Sequence, residues 1–257
     1  MTGALAAEWL KLRSVRSTLW VLAVGMVAVL LALAIDLYGT TVWDRLLPAS
    51  RPGFPTMVTQ AVTLTVMQMA GAVLGVLGVT SEFSTGQVRS SVVALPRRGL
   101  LVTAKALVLG VSTLVTATAA LLVASLGGRA IIGDRVVAQP PLPREIALIV
   151  ASGAVVMAFA LLAMGLGLLM RSAAGSLVTV AMLWYPLQII ALHLPAPWNE
   201  RISSVLLGSL GPEIAGYHIS GPPQGGLSQV GAVAVLAAYA LVPMVAAAVT
   251  FIRRDVR

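Results

Sequence analysis

Long stretches without charge dominate this chain, and short groups of charged residues separate them. Because a charge at the centre of a bilayer is costly, such stretches indicate membrane-spanning segments. A helix needs about 20 residues to cross ~30 Å of hydrocarbon. The runs of nineteen or more residues without Asp, Glu, Lys or Arg are Ser17–Ile35, Pro52–Ser81, Ala106–Gly128, Ile146–Met170, Ser172–Glu200 without its terminal Glu, and Ile214–Ile252. Six spans are therefore predicted.

The runs lack the two-residue alternation of barrel strands, so they predict helices. A Gly- and Pro-rich turn at 221–226 places the last helix at about Ser228–Ile252. The first run is longer than the 7–15 apolar residues of a secretory signal, and we expect it to stay as a span. The predicted fold is an all-α integral membrane domain over residues 1–257, with residues 17–252 in the membrane region and 253–257 as a tail.

The composition supports this fold, with 58% hydrophobic and 10% charged residues. Soluble domains carry roughly 25% charged residues, so the composition excludes a soluble domain, and a chain this apolar is not a disordered one. Cysteine is absent, which excludes disulfides, thiolate metal sites and thiol nucleophiles. Arg far outnumbers Lys beside abundant Ala, Gly and Val, as GC-rich bacterial genomes tend to encode.

The net charge of +8 is distributed unevenly between the two sides of the membrane. Six spans place both termini on one side, and that side has three acidic residues and eleven basic ones, namely Lys11, Arg13, Arg16, Arg89, Arg97, Arg98, Lys105, Arg171, Arg253, Arg254 and Arg257. The other side has six of each sign. Cytoplasmic loops carry the basic excess, so both termini are predicted in the cytoplasm of a bacterial plasma-membrane protein. Topology thus accounts for the charge, and no nucleic-acid partner is expected.

The N-terminal residues 1–16 suggest a helix lying on the membrane surface. Leu5, Trp9 and Leu12 fall on one helical face, with Glu8 beside them. The residues expected to hold it at the lipid headgroups are Trp9, Lys11, Arg13 and Arg16. A charged flank that only sets topology is the alternative.

The second span carries small and polar side chains at spacings of three and four, hence on one face. They are Thr56, Gln60, Thr63, Met67, Gly71, Gly75 and Gly78. One interpretation is close helix packing through Gly71-xxx-Gly75. The other is a substrate path, for which the candidate residues are Gln60, Thr63, Met67 and Gln68.

The cytoplasmic segment after the second span predicts a short helix with exposed charges. Thr80 or Ser81 can cap it, Glu82 would lie in its first turn, and Pro96 would end it. Topology explains the basic residues of this segment but not the whole pattern.

The pattern resembles the first cytoplasmic loop of ABC-2 type transporter permeases. It runs Glu82-Phe83, two residues, Gly86, one residue, Val88-Arg89, then a Pro-Arg-Arg turn and Lys105. Glu8-Trp9-x-Lys11-x-Arg13 and the six-span plan resemble that family as well. Gln87 departs from it, since the family more often has Thr or Ser there.

The resemblance implies the transmembrane subunit of an ATP-driven exporter. Its coupling helix would dock on a separate ATPase through Glu82, Phe83, Gly86, Val88 and Arg89, and the N-terminal helix would contact the same ATPase. Two ATPase copies and a second permease chain, identical or different, would complete the assembly. The chain itself would bind no cofactor, because ATP and Mg would sit on the ATPase. Replacing Glu82 with Lys is expected to uncouple transport in a chain that still folds.

The segment Leu194–Gln229 precedes the last span, and prolines interrupt it repeatedly. Its apolar part, Ile202–Leu210, is too short to span, which favours a re-entrant or interfacial hairpin at the outer face, a feature also known in the family. An ordinary extracellular loop is the alternative. Four polar residues in this segment or directly before it have spacings that match no compact metal site, and a membrane boundary explains them better: His193, Glu200, Glu213 and His218.

Missing motifs narrow the function. The chain has no phosphate-binding Gly-Lys-Ser/Thr, no His-Glu-x-x-His and no Gly-x-Ser-x-Gly, so it is not expected to be an enzyme. No Asp or Glu lies mid-span, which argues against proton coupling. Uncharged spans favour an amphipathic or hydrophobic substrate, such as a drug, peptide or lipid-like molecule, beside contact with membrane lipid. The alternatives are a structural or regulatory membrane subunit that transports nothing and, after it, an intramembrane enzyme.

Overall fold

The computed structural model describes residues 2–14, 16–46, 58–86, 98–135, 141–216 and 226–253. Within these ranges the backbone forms ten α-helices and two 3₁₀ turns, at Gly133–Arg135 and Leu207–Ser209, and no strand. The helices are α1 (Thr2–Ser14), α2 (Arg16–Arg45), α3 (Val58–Ser84), α4 (Arg98–Ile132), α5 (Leu142–Met170), α6 (Ala173–Trp184), α7 (Pro186–Leu192), α8 (Trp198–Val205), α9 (Leu210–Ala215) and α10 (Gln229–Arg253).

Six helical segments of the described chain are long and apolar enough to cross a membrane, which confirms the prediction of an all-α, multi-pass membrane protein. They are Thr18–Arg45, Thr59–Phe83, Gly99–Arg135, Leu142–Met170, Ala173–Leu192 and Gln229–Thr250. The fifth consists of α6 and α7, which meet at Tyr185. Pro186 follows, and its missing N–H interrupts the helical hydrogen bonding there.

Three spans are longer than their charge-free runs. The first continues past Ile35 to Arg45, α4 begins at Arg98 instead of Ala106, and α5 begins at Leu142 instead of Ile146. Charged residues inside these helices, Asp36 and Lys105, have polar partners on neighbouring helices, so the helix does not end where the charge begins.

The helix α5 forms the centre of the bundle and packs against α3, α4, α9 and α10. Its contact with α3 is very close, because a Cβ at Gly71 would lie 3.3 Å from Val156 and one at Gly75 would overlap the carbonyl oxygen of Ala160. The interpretation of Gly71-xxx-Gly75 as a packing motif is therefore confirmed. On the other side of α5, a Cβ at Gly165 would lie 2.7 Å from Pro243 of α10.

The outward faces of the spans are apolar. Large exposed side chains cover α2, the α6–α7 segment and α10, among them Trp20, Leu31, Met182, Ile190 and Leu241. An apolar surface of this extent fits contact with lipid or with another membrane helix.

After the short helix α8, the 3₁₀ turn at Leu207–Ser209 and the helix α9 fold back onto the bundle before α10 begins. Leu207 and Leu210 are buried against α5, α6 and α10 in the main apolar core. With eight and six residues, neither helix is long enough to span a membrane.

The N-terminal helix exists, and its residues divide between a buried and an exposed face. Glu8 is only 5% exposed, whereas Trp9 is 53% exposed. The buried face includes Ala4 and Glu8, one turn apart, and Leu12 packs against the bundle. Glu8 faces inward because Lys105 of α4 lies there and pairs with it.

Candidate functional site

Four charged side chains from three helices form a closed ring, here called the charge cluster: Glu8 and Lys11 of α1, Glu82 of α3 and Lys105 of α4. Lys11 Nζ lies 2.9 Å from Glu8 Oε1 and 2.9 Å from Glu82 Oε1. Lys105 Nζ lies 2.6 Å from Glu8 Oε2 and 2.8 Å from Glu82 Oε1. Each ammonium therefore contacts both carboxylates, and the four formal charges cancel.

The charge cluster is largely buried, and Lys11 is its most exposed member. Glu82 is 7% exposed, and the side chains of Lys105 and Lys11 are 13% and 37% exposed. Lys105 Nζ also donates to the carbonyl oxygen of Gly78 at 3.3 Å. Because buried charges are tolerated only when they are paired and hydrogen-bonded, the ring keeps α1 in place.

Ion pairing overcomes the effect of burial on the pKa values of the α1 residues. Burial would raise the pKa of Glu8, but attraction and hydrogen bonding from Lys105, followed by Lys11, hold that pKa below its ordinary value. Burial would lower the pKa of Lys11, but hydrogen bonds and attraction from Glu8 and Glu82 keep that pKa above its ordinary value. Both groups are thus held in their charged forms.

The helices bring these residues together by simple spacing. Glu8 and Lys11 are three residues apart and share a face of α1. Glu82 lies in the last turn of α3, and Lys105 lies two turns into α4. Glu82 is therefore not in the first turn of a separate exposed helix, as the sequence suggested, because α3 continues through Ser84.

The predicted coupling residues fall on both sides of the end of α3. Phe83 packs against the bundle, and the Arg171 guanidinium lies 5.4 Å from its ring centroid. Gly86 follows in an exposed turn with φ +70°, a conformation that favours glycine. Val88 and Arg89 lie outside the described residues.

The burial of Glu82 also changes what the Glu82→Lys variant would do. A third ammonium would enter a site that already contains Lys11 and Lys105. We therefore expect this variant to loosen the contact between α1 and α3 and to fold less well, contrary to the expectation from the sequence.

Of the residues expected to anchor α1, only Lys11 belongs to the charge cluster. Trp9 and Arg13 are exposed, and the side chain of Arg16 lies outside the described residues. The interfacial role of Trp9 stays a prediction. Sequence reasoning did not select Glu8 and Lys105 as site residues, although opposite charges at the ends of three spans were a usable signal.

A second polar group, here called the Glu145 cluster, lies at the opposite end of the bundle. It consists of Asp36, Thr59, Gln60, Ser125, Arg129 and Glu145 around a cavity of about 20 Å³. Glu145 is buried and accepts hydrogen bonds from Gln60 Nε2 at 2.8 Å, from the Ser125 hydroxyl and from the Arg129 guanidinium. The Thr59 hydroxyl donates to Asp36. Thr59 and Glu82 are ~35 Å apart along α3, so the two clusters are well separated.

The structure does not bring the four substrate-path residues to one surface. Gln60 is held by Glu145, and Gln68 accepts a hydrogen bond from Trp184 Nε1 at 3.0 Å. Thr63 is fully buried, and Met67 lines an apolar cavity between α2, α3 and α4. The spacing of these residues correctly predicted that they lie on one helix. Because α3 is surrounded by several helices, however, residues three or four positions apart contact different neighbours.

In the part of the chain that the structure describes, no three His, Asp or Glu side chains form a group that could hold a metal ion. His218, one of the four boundary residues considered for such a site, lies outside that part. A scan against protein-family models finds no match for this chain, and no curated protein matches its sequence.

Proposed function

We propose that this chain is an ABC-2 type permease, the membrane subunit of an ATP-driven exporter for an amphipathic or hydrophobic substrate. The observation that carries the proposal is the charge cluster at the start of the coupling-like pattern. Glu82 begins that pattern, and its carboxylate contacts Lys11 of α1 and Lys105 of α4. The residues that resemble the family in sequence, Lys11, Glu82 and Lys105, are thus also the residues that form these ion pairs.

The charge cluster supplies a route for force in this proposal. The coupling-like pattern begins inside the last turn of α3, so no long linker separates the two. A partner that pushed on the segment after Ser84 would therefore move the end of α3 directly. The two lysines would pass the displacement to α1 and α4 through contacts of 2.8–2.9 Å. Three helices would then tilt together, as alternating access requires.

The same proposal gives the chain an orientation in a bacterial plasma membrane. Both termini and the charge cluster would face the cytoplasm, where the basic excess belongs. The α8–α9 pair would form the hairpin at the outer face. Its support is the burial of Leu207 and Leu210 together with the shortness of both helices.

The exporter would require partner chains. The exposed apolar faces of α2 and α6–α7 leave room for a second permease chain, identical or different. Two copies of an ATPase would bind at the cytoplasmic end and carry ATP and Mg, while this chain holds no nucleotide.

Co-expression with candidate ATPases tests the proposal, with this chain tagged and the ATPase detected after purification. We expect a stable complex whose ATP hydrolysis rises when substrate is added, a rise that a purely structural subunit would not give. Arg89→Glu should weaken the complex at least tenfold, because it reverses a charge in the coupling pattern. Arg201→Glu, an exposed arginine of α8, is the matched control and should bind normally.

Two results would contradict the proposal. One is the failure of every co-expressed ATPase to purify with the wild-type chain. The other is an equal loss of binding in Arg89→Glu and Arg201→Glu, which would mean that charge reversal acts non-specifically.

A further inference from the structure

An apolar cavity of about 360 Å³ lies between α2, α3 and α4, with Val156 of α5 contributing to its wall. It is called the mid-span cavity here, because Gly71 and Val156 in its wall are the central residues of their membrane spans. The hydrocarbon region of a bilayer is ~30 Å thick, so this depth is ~15 Å from either headgroup region. What adjoins the protein there is a lipid chain or another membrane helix.

The mid-span cavity has a buried floor and an exposed rim. The floor residues on α3 are Met67, Ala70 and Gly71, all of them buried. The rim residues are Leu22 and Met26 of α2 and Ala119 and Val123 of α4, all of them exposed. Because exposed side chains flank the cavity on both α2 and α4, it opens between these two helices to the outside of the bundle. In a membrane, that side is the bilayer.

The opening is closed at the end that lies farther from the charge cluster. There α2 and α4 pack closely, since a Cβ at Gly127 would lie 2.7 Å from Leu33. The cavity extends along α2 from Val21 to Val29, which is the part of α2 nearer its start and the charge cluster. A molecule that enters from the side therefore comes from the leaflet at the charge-cluster end.

The walls of the mid-span cavity have no polar group that needs a partner from a ligand. None of the described residues that line it is charged. Its two hydroxyl groups, those of Thr113 and Thr116, donate to carbonyl oxygens of their own helix at 2.8 and 2.7 Å. Met26 and Met67 supply flexible, polarizable side chains that adapt to an apolar occupant. The walls thus favour hydrocarbon.

The length of the opening selects a lipid chain over another helix. From Val21 to Val29 it extends ~12 Å along the helix axis. A spanning helix crosses ~30 Å and would meet the close contact between α2 and α4 at Leu33. An acyl chain occupies one leaflet, ~15 Å of hydrocarbon, which is comparable to the length of the opening.

We propose that the mid-span cavity binds the acyl chain of a bilayer phospholipid, which enters between α2 and α4 from the leaflet at the charge-cluster end. The end of the chain lies against the floor residues of α3, and the headgroup stays at the membrane surface. This lipid site goes beyond the exporter proposal and does not depend on it.

Photolabelling with two phosphatidylcholines tests the site. The probes differ only in the position of one diazirine, which is at the chain end in one and next to the ester in the other. The chain is placed in nanodiscs with one copy per disc and irradiated, and labelled residues are identified by mass spectrometry. Labelling is normalised to Leu241, an exposed residue of α10 near the middle of its span.

We expect the chain-end probe to label Met67 and Ala70 at least fivefold more than the ester-side probe does, because the floor lies at the membrane centre. Both residues are buried, so lipid that only surrounds the bundle does not reach them. Val76, a fully buried residue of α3 outside the cavity, is the control and should stay unlabelled by either probe.

Paired variants locate the site. Ala120→Leu fills the mid-span cavity and should reduce chain-end labelling of Met67 at least fivefold. Ala237→Leu, on an exposed face of α10, is the matched control and should leave that labelling unchanged. Ala119→Leu narrows the opening at its exposed rim and should reduce the labelling at least twofold. If Ala120→Leu fails to fold, the rim variant decides.

The inference is overturned if the floor residues stay unlabelled while Leu241 is labelled, or if both probes label the floor equally. Unchanged floor labelling in the folded cavity variants would also overturn it. Floor labelling that is present with one chain per disc and absent with two would assign the opening to a second copy of the chain, against the proposal.

Discussion

Lys105 Nζ lies 2.6 Å from Oε2 of Glu8, a residue 97 positions earlier in the chain. The pair joins the N-terminal helix to the third span and closes a ring with Lys11 and Glu82. The N-terminal helix thus contacts the bundle through ion pairs in addition to the apolar contacts of Ala4 and Leu12.

The first prediction concerns Glu8. Glu8→Gln leaves Lys105 with one carboxylate where it had two, in a site that is largely buried. We expect the free energy of unfolding to fall by ~2–3 kcal/mol, as measured by equilibrium unfolding from mixed micelles in sodium dodecyl sulfate. Glu200→Gln, at an exposed position of α8, should change it little. Equal effects of the two variants would show that Glu8 is not structurally important.

The two lysines of the charge cluster should differ in importance. Lys105→Met removes the more buried ammonium and should destabilise the fold by ~2–3 kcal/mol. Lys11→Met removes the more exposed one, whose interactions water already weakens, and should cost less than ~1 kcal/mol. The same unfolding measurement checks both variants, and a reversed order would contradict the burial seen here.

Stability should depend on pH through Glu8 at the acid end. The pKa of Glu8 is lower in the folded chain than in the unfolded one, so its contribution is complete above the ordinary carboxyl pKa. That contribution is lost as pH falls through the lower, folded value. Glu8→Gln cannot titrate, so the difference in stability between wild type and this variant should shrink below about pH 4. A constant difference down to acid pH would contradict the prediction.

At the alkaline end the sign is opposite. The pKa of Lys11 is higher in the folded chain, so its contribution is complete below the ordinary lysine pKa and is lost as pH rises through the folded value. Compared with wild type, Lys11→Met should show a weaker decline in unfolding midpoint above about pH 10. An identical alkaline decline would exclude Lys11 as its source.

Two glycines of α3 provide a matched test of helix packing. Gly75→Ala should destabilise the fold by ~2 kcal/mol or more, because its methyl group would meet the backbone of α5 at Ala160. Gly78→Ala meets no atom within 4 Å and should be neutral or stabilise by up to ~1 kcal/mol, since alanine is the better helix former. Unfolding equilibria of the two variants give the comparison, and a loss in both would imply a general intolerance of this helix.

The six spans could be predicted from sequence because lipid leaves the backbone few choices. A chain segment in hydrocarbon must satisfy its own hydrogen bonds, so long apolar runs become helices whatever their neighbours are. The helix ends were less predictable. A charge such as Lys105 normally marks the edge of a span, but here it has partners on two other helices and stays inside α4.

The candidate site was predictable only in part. Glu82 and Lys11 could be selected from the coupling-like pattern and the basic flank, but the inward turn of Glu8 depends on which helix lies beside α1. Likewise, the polar stripe of α3 identified Gln60 and Gln68 without showing that each has a different neighbour. The spacing of polar residues along one helix shows which of them share a face, but it does not show which other helix that face will contact.

The central position of α5 has a consequence for biosynthesis. The helices α3, α4 and α10 all pack on α5, which is only the fourth span to leave the ribosome. Until it is inserted, Gly71 and Gly75 of α3 lack the α5 backbone against which they pack. The first three spans contact one another, but the close glycine packing of α3 can form only after the fourth span has been inserted.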